Sequence, residues 1–285
     1  MNDWVSINGE IMPAAEGTIP IYDRGFLYGD SVFETLRTYD SRPHALNQHL
    51  KRLRLSASRI AMDLEVTDDE LRRFIDQLLD TRPNQESYVR VIITRGDGEF
   101  GLAPDLASNQ RVVILARPLQ EHPESFWANG IHAISLREKL RWRGKRIAKT
   151  GNYLNNLLAL DAARRAGAHE ALRFDADDHL TEGSTSNVFV VRQGVLHTPD
   201  LAAGVLPGIT RQLILECAKR LDIEVSEQAI PRDMLEGAEE IMISSSIREL
   251  VAVVTLDGQR VGEGRPGPLC RQLHRNYREY CIEHP

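Results

Sequence analysis

Tyr88-Val89-Arg90-Val91-Ile92-Ile93-Thr94, Val112-Val113-Ile114-Leu115-Ala116 and Pro118-Leu119-Gln120-Glu121-His122-Pro123 decide how the chain divides. The first two are rich in β-branched residues and read as strands, separated by the glycine-bearing loop Gly96-Asp97-Gly98-Glu99-Phe100-Gly101. In the third, polar residues and two prolines interrupt the periodic segments, which reads as a linker. The sequence therefore predicts a smaller domain over 1–117, a linker over 118–124 and a larger domain over 125–285. A length of 285 residues gives the same soft prior of about two domains.

On the N-terminal side, Trp4-Val5-Ser6-Ile7 runs into Asn8-Gly9, a pair suited to the two positive-φ positions of a tight hairpin turn. Leu46, Leu50, Leu53 and Ile60 mark one helix face. Thr67 and Glu70 form a capping box, and Leu71, Phe74, Ile75, Leu78 and Leu79 follow at helical spacing until Pro83. Beyond the linker, the sequence predicts a strand over 131–136, a basic stretch over 141–149 and a helix over about 152–166 that stops at Gly167. Strands over 170–174 and 187–191, a helix over 210–221, strands over 241–244 and 251–256, and a helix from about Pro268 complete the chain. Strands and helices mix without regular βαβ alternation, which favours two α+β domains over a doubly wound sheet.

Composition narrows the function classes. With 42% hydrophobic and 27% charged residues the chain is an ordinary globular protein, and a net charge of −6 suggests neither a nucleic-acid nor an anionic-membrane partner. The run 112–116 is far short of the roughly 18 apolar residues of a membrane span, and the first ten residues show no signal-peptide pattern. Cys217, Cys270 and Cys281 lack a CxxC pair, so neither a disulfide framework nor a metal site is expected; the set fits a reducing cytoplasm, each cysteine acting as a small buried hydrophobe. Only five of the 35 basic residues are lysines, Lys51, Lys139, Lys145, Lys149 and Lys219. If the chemistry needs an amine, there are few candidates.

Four segments carry more than a fold requires. In Arg146-Ile147-Ala148-Lys149-Thr150-Gly151-Asn152-Tyr153, a lysine beside apolar residues and near other cations has the setting of an imine-forming nucleophile, though from this segment alone a solvated lysine in a basic loop is the better reading. In Leu180-Thr181-Glu182-Gly183-Ser184-Thr185-Ser186-Asn187, one carboxylate among small hydrogen-bonding residues could face a protonated ring nitrogen, or simply sit in a polar turn. Gly204-Val205-Leu206-Pro207-Gly208-Ile209-Thr210-Arg211 puts a glycine turn before a helix N-terminus, a natural phosphate site, with Thr210 as a hydroxyl donor or an N-cap. Ser244-Ser245-Ser246, before Arg248-Glu249, offers hydroxyls to a phosphate.

Together with Ile21-Tyr22-Asp23-Arg24-Gly25 and Tyr28-Gly29-Asp30-Ser31-Val32-Phe33-Glu34-Thr35, these segments resemble the class IV aminotransferases, the fold type IV pyridoxal-phosphate enzymes that include branched-chain and D-amino-acid aminotransferases and aminodeoxychorismate lyases. The resemblance implies a two-domain α+β fold of the D-amino-acid aminotransferase type and pyridoxal 5'-phosphate as cofactor. Lys149 is similar to the Schiff-base lysine, Glu182 to the carboxylate that keeps the pyridine nitrogen protonated, and Arg52 to the phosphate-clamping arginine, a task suited to a rigid two-pronged donor. Leu206, Ile209, Thr210, Ser245 and Ser246 match the other cofactor contacts, and Tyr153 the tyrosine near the 3'-oxygen.

Tyr28, Phe33, Tyr88 and Arg90 fall on substrate-lining positions of branched-chain aminotransferases, and residues 96–104 are similar to their glycine-rich loop. Thr35, where those enzymes usually have glycine, and the spacing of only Thr150-Gly151-Asn152 between Lys149 and Tyr153 point instead toward the D-amino-acid and lyase branches. The Arg-x-His pair of the D-amino-acid enzymes would fall at Phe100 and Leu102, which cannot bind a carboxylate. The resulting expectation is a transaminase moving an amino group between a hydrophobic, branched-chain amino acid and 2-oxoglutarate, with a D-amino-acid or broad-specificity transaminase and a 4-amino-4-deoxychorismate lyase as alternatives. The resemblance further implies a homodimer with amino acids and 2-oxo acids as partners, its site between two domains and partly covered by the second subunit, and the cysteine usage places it in the cytoplasm.

Overall fold

The structure, a computed structural model, describes residues 3–138 and 147–284, so that part of the basic stretch at 139–146 lies outside the described residues. The chain resolves into two compact units. The first comprises Met1–Gln120, Ala148–Tyr153 and Cys281–Pro285, the second Glu121–Ile147 and Leu154–Tyr280.

In the first unit a six-stranded antiparallel sheet runs in the order Glu10–Pro13, Trp4–Ile7, Arg111–Pro118, Ser87–Thr94, Ser31–Tyr39, Arg42–Pro43. Asn8 and Gly9 take φ of 52° and 88° in the first hairpin, as that turn demands. Helices Leu46–Arg59 and Asp68–Leu79 cover one face, burying Leu50, Leu53, Leu71, Ile75 and Leu78 against Val32, Leu36, Val89, Val91, Ile93 and Ile114. The second of these helices starts at the capping box, with Thr67 Oγ1 accepting from the Glu70 amide and Glu70 from the Thr67 amide. The glycine-bearing loop contributes a two-residue strand, Asp97–Gly98, paired with Ala107–Ser108.

The sequence expectation put Lys149 in 125–285, whereas residues 148–153 group with the first unit. The cause is long-range backbone bonding. The Phe33 amide donates to the Lys149 carbonyl (3.0 Å), the Gly151 amide to the Ser31 carbonyl (2.9 Å), and the Lys149 amide to Ser56 Oγ (3.1 Å). Residues 148–153 thus lie along the Ser31–Tyr39 strand as an added edge.

The second unit is built on a ten-stranded sheet around Ile131–Arg137, Glu170–Phe174, Asn187–Arg192, Glu240–Ser245 and Glu249–Leu256. It is mixed rather than antiparallel throughout. Ile131–Arg137 and Glu170–Phe174 pair in parallel across the helix Leu154–Arg165, and Val195–Pro199 and Val225–Gln228 do so across the helix Ile209–Arg220. Two βαβ crossovers are therefore embedded in a sheet without regular alternation. Leu172, Phe174, Val188, Val190, Ile241, Ile243, Val251 and Val253 form its core, and Pro268–Glu283 is the last helix. All three cysteines are buried, and burial pushes the thiols of Cys217 and Cys270 upward, as inert core residues.

Candidate active site

Strand alternation sorts the central strands of the first unit into two faces. Val32, Glu34 and Leu36 turn toward the helices. Phe33 turns the other way, as do Tyr88 and Arg90, which are half-buried. Around the Phe33 ring the structure gathers several of the expected residues. The Arg90 guanidinium stands 4.1 Å from the ring centroid and Lys149 Nζ 4.5 Å from it. Tyr153 meets the same ring edge-on at 5.2 Å, with Lys149 Nζ 5.7 Å from its own centroid. Arg90 Nε is buried without a hydrogen-bond partner among the described residues. An amine and a guanidinium thus share one aromatic platform.

Tyr28 closes the five-residue helix Arg24–Tyr28, its ring 5.1 Å from the Arg24 guanidinium. Arg24 donates to the carbonyls of Gly101 (2.8 Å) and Leu102 (3.1 Å), so it ties Tyr28 to the glycine-bearing loop. Phe100 and Leu102, apolar where a carboxylate-binding pair would fall, are 76% and 78% exposed.

Arg52 lies on the helix-covered face. It gives Nε and Nη2 to the two carboxylate oxygens of Glu34, each at 2.7 Å, and Glu34 also holds His49 Nδ1 at 2.7 Å. Burial pushes the Glu34 carboxyl up, but the charge and hydrogen bonds of Arg52, with help from His49, outweigh it and hold the group at about 2. His49 is pushed down by burial despite Glu34, so it is neutral and donates a hydrogen bond from Nδ1–H to the carboxylate. The forked pair fixes the plane of the Arg52 guanidinium.

The second unit carries the remaining expected residues. Glu182 Oε2 accepts from the Leu206 amide at 2.9 Å, and Oε1 lies 3.8 Å from Arg173 Nη1. Asn187 Nδ2 donates to the Leu206 carbonyl at 2.9 Å, and Asn187 stands in register with Ser244. A Cβ at Gly208 would fall 1.9 Å from Asn187 Oδ1. Gly208 is the N-cap of Ile209–Arg220 and supplies no side-chain cap, so Thr210 is the second helical residue and not the cap. Ile209 and Thr210 are both buried at this helix start. Ser245 ends its strand and Ser246 enters the loop to Glu249; the neighbouring Ser244 Oγ is buried without a partner among the described residues.

This donor set fits pyridoxal phosphate. In the second unit an uncapped helix start and a hydroxyl cluster suit a phosphate, and a carboxylate anchored by an amide suits a protonated ring nitrogen; in the first, a lysine on an aromatic platform is of the type that would supply the amine. Glu34, His49 and Asn187 hold or border the expected residues without having stood out in the sequence. The signal available for Glu34 was a carboxylate at a core-facing position of an apolar strand; Asn187 left none, because its role depends on residues 206–208 arriving beside it.

The profile of the family described as amino-transferase class IV matches residues 31–256. The D-alanine aminotransferase of Bacillus licheniformis is 33% identical over 269 residues, covering 94% of each chain. The Escherichia coli branched-chain amino acid aminotransferase structure aligns with a TM-score of 0.92 at 32% identity, over 100% of this chain and 96% of that one. The T.th. branched-chain amino acid aminotransferase complexed with N-(5'-phosphopyridoxyl)-L-glutamate aligns with a TM-score of 0.89 at 28% identity, over 99% and 95%. The chain belongs to the class IV aminotransferases, pyridoxal-phosphate-dependent transaminases of fold type IV.

Proposed function

We propose that this aminotransferase moves an amino group between a branched-chain L-amino acid and 2-oxoglutarate. The observation that carries the reading is the Phe33 platform, where the Arg90 guanidinium lies over the apolar ring, 4.1 Å from its centroid, next to Lys149. Such a site accepts an aliphatic side chain against the ring and a second carboxylate against the guanidinium. The phosphopyridoxyl-glutamate complex of the T.th. relative supports the acidic partner. A D-alanine aminotransferase of comparable identity favours the rival specificity, but apolar, exposed Phe100 and Leu102 weigh against it.

When bound, pyridoxal phosphate supplies the electron sink that takes the pair left when the substrate Cα loses its proton. In our reading Lys149 Nζ accepts that proton and returns it. Glu182, held by the Leu206 amide, keeps the ring nitrogen protonated, and Tyr153 attends the 3'-oxygen. Arg52, oriented by Glu34, adds positive charge for the phosphate, with Ile209, Thr210, Ser245 and Ser246 as donors. Tyr28, Phe33, Tyr88 and Arg90 line the substrate side.

We also infer a cytoplasmic homodimer. Three buried cysteines without a CxxC pair support a reducing compartment, and no helix among the described residues is long and apolar enough to cross a membrane. Leu154, Leu157 and Leu158, each more than half exposed on one helix, support a covering second copy.

Steady-state glutamate formation tests the specificity. L-Leucine with 2-oxoglutarate is expected to turn over, and Arg90→Met to raise KM for 2-oxoglutarate about tenfold while leaving that for leucine within about twofold. Turnover of D-alanine alone contradicts the reading.

A further inference from the structure

Glu170, at the start of the Glu170–Phe174 strand, is fully buried and has five donors. The amides of Ala171 and Ser184 reach Oε1, each at 2.9 Å, with the Ser184 hydroxyl on the same oxygen. Ser186 Oγ (2.9 Å) and Arg248 Nη2 (2.7 Å) reach Oε2. Burial pushes its carboxyl up, but Arg248 and these hydrogen bonds hold it below the usual range, so it is an anion paired with a cation in the interior.

The partners are not scattered. Ser184 and Ser186 belong to the turn directly after Glu182. That turn closes so tightly that a Cβ on Gly183 would fall 2.1 Å from Ser186 Oγ and 3.1 Å from Glu170 Cδ. Arg248 also donates to Thr185 Oγ1 at 2.8 Å in the same turn, and its own amide donates to Ser245 Oγ at 3.2 Å. It sits in the hairpin loop between Ser245 and Glu249, which pair in register. Glu249 ends that loop. This buried carboxylate has φ of 57°, a backbone region where glycine is usual, and it is kept there by His274 Nε2 (2.7 Å) and Arg278 Nε (3.3 Å).

A buried ion pair is a poor way to gain stability compared with apolar packing, and its best-attested use is to fix one arrangement among several. We propose that Glu170 and Arg248 are a positioning pair that locks the Ser245-Ser246 loop against the turn following Glu182, setting the hydroxyls that receive the cofactor's phosphate. The proposal rests on the reading that Glu182, Ser245 and Ser246 hold pyridoxal phosphate. Neither member of the pair touches the cofactor in this scheme. Removing either leaves every phosphate donor present but no longer aligned.

The test compares two ligands on the full chain stripped of cofactor. Dissociation constants are measured for pyridoxal 5'-phosphate and for pyridoxal, which lacks the phosphate, by quenching of intrinsic fluorescence. In the unaltered chain pyridoxal 5'-phosphate binds much more tightly. Glu170→Gln and Arg248→Met are each expected to shrink that ratio about tenfold, and the double variant no further, because the two act as one unit. Should Glu170→Gln fail to fold, Arg248→Met carries the same comparison from the more accessible side of the pair. Variants that lose thermal stability yet keep the ratio overturn the proposal, leaving the pair merely structural. An unaltered chain that binds neither compound overturns the cofactor reading beneath it, a result distinct from normal discrimination that survives in both variants.

Discussion

Glu34 belongs to the core and at the same time orients Arg52, the residue proposed to hold the cofactor's phosphate. It sits in an apolar strand where a carboxylate is costly to bury, and it persists because Arg52 and His49 meet both its oxygens. Its pKa falls from 4.5 to about 2 on folding. A depressed carboxylate contributes stability that is present above the unfolded value and lost as pH falls toward the folded one, here between about 4.5 and 2. The shift corresponds to about 3 kcal/mol. Thermal unfolding followed across this range should show the unaltered chain losing stability as pH drops, and Glu34→Gln should start lower and lose less; parallel curves would contradict the pairing. At this scale the sequence was partly legible. Lys149, rare as an amine among 30 arginines, could be singled out, and so could Phe33 and Arg90. Their meeting on one ring could not, because it depends on the register of Ser31–Tyr39 with Ser87–Thr94 and on residues 148–153 lying alongside.

Elements were the most legible level, because their signals are local. Asn8-Gly9, the Thr67–Glu70 capping box and the helical spacing of Leu71, Ile75 and Leu78 each act within a few residues, and each is found where the sequence put it. Helix starts were harder. The hydroxyl of Thr210 suggested a cap, yet Gly208 takes that place because residue 208 must pass within contact distance of Asn187. The resulting uncapped amides are what the phosphate reading uses. Gly208→Ala places a methyl against Asn187 Oδ1 and is expected to weaken pyridoxal 5'-phosphate binding by about tenfold or more, read by fluorescence titration. Unchanged affinity would show that this helix start does not serve the phosphate.

For the whole molecule, the α+β character and the family could be read from sequence, since ordered motifs run through most of the chain. The parallel pairs across Leu154–Arg165 and Ile209–Arg220 could not, because strand order is set by long-range pairing that no local pattern encodes. Nor could the allegiance of 148–153, for the same reason. The exposed leucines of Leu154–Arg165 suit a covering second copy, so sedimentation at twice the chain mass is expected, with a monomer at working concentration contradicting the dimer. The assignment of Lys149 as the amine of this pyridoxal-phosphate transaminase underlies every other role proposed for the site. It is tested most directly by the visible absorption of the purified chain, incubated with pyridoxal 5'-phosphate and then with L-leucine. The unaltered chain should take up the cofactor with a band near the visible edge that L-leucine bleaches without added keto acid, and Lys149→Ala should show neither the band nor turnover. A Lys149→Ala chain that keeps both would contradict it.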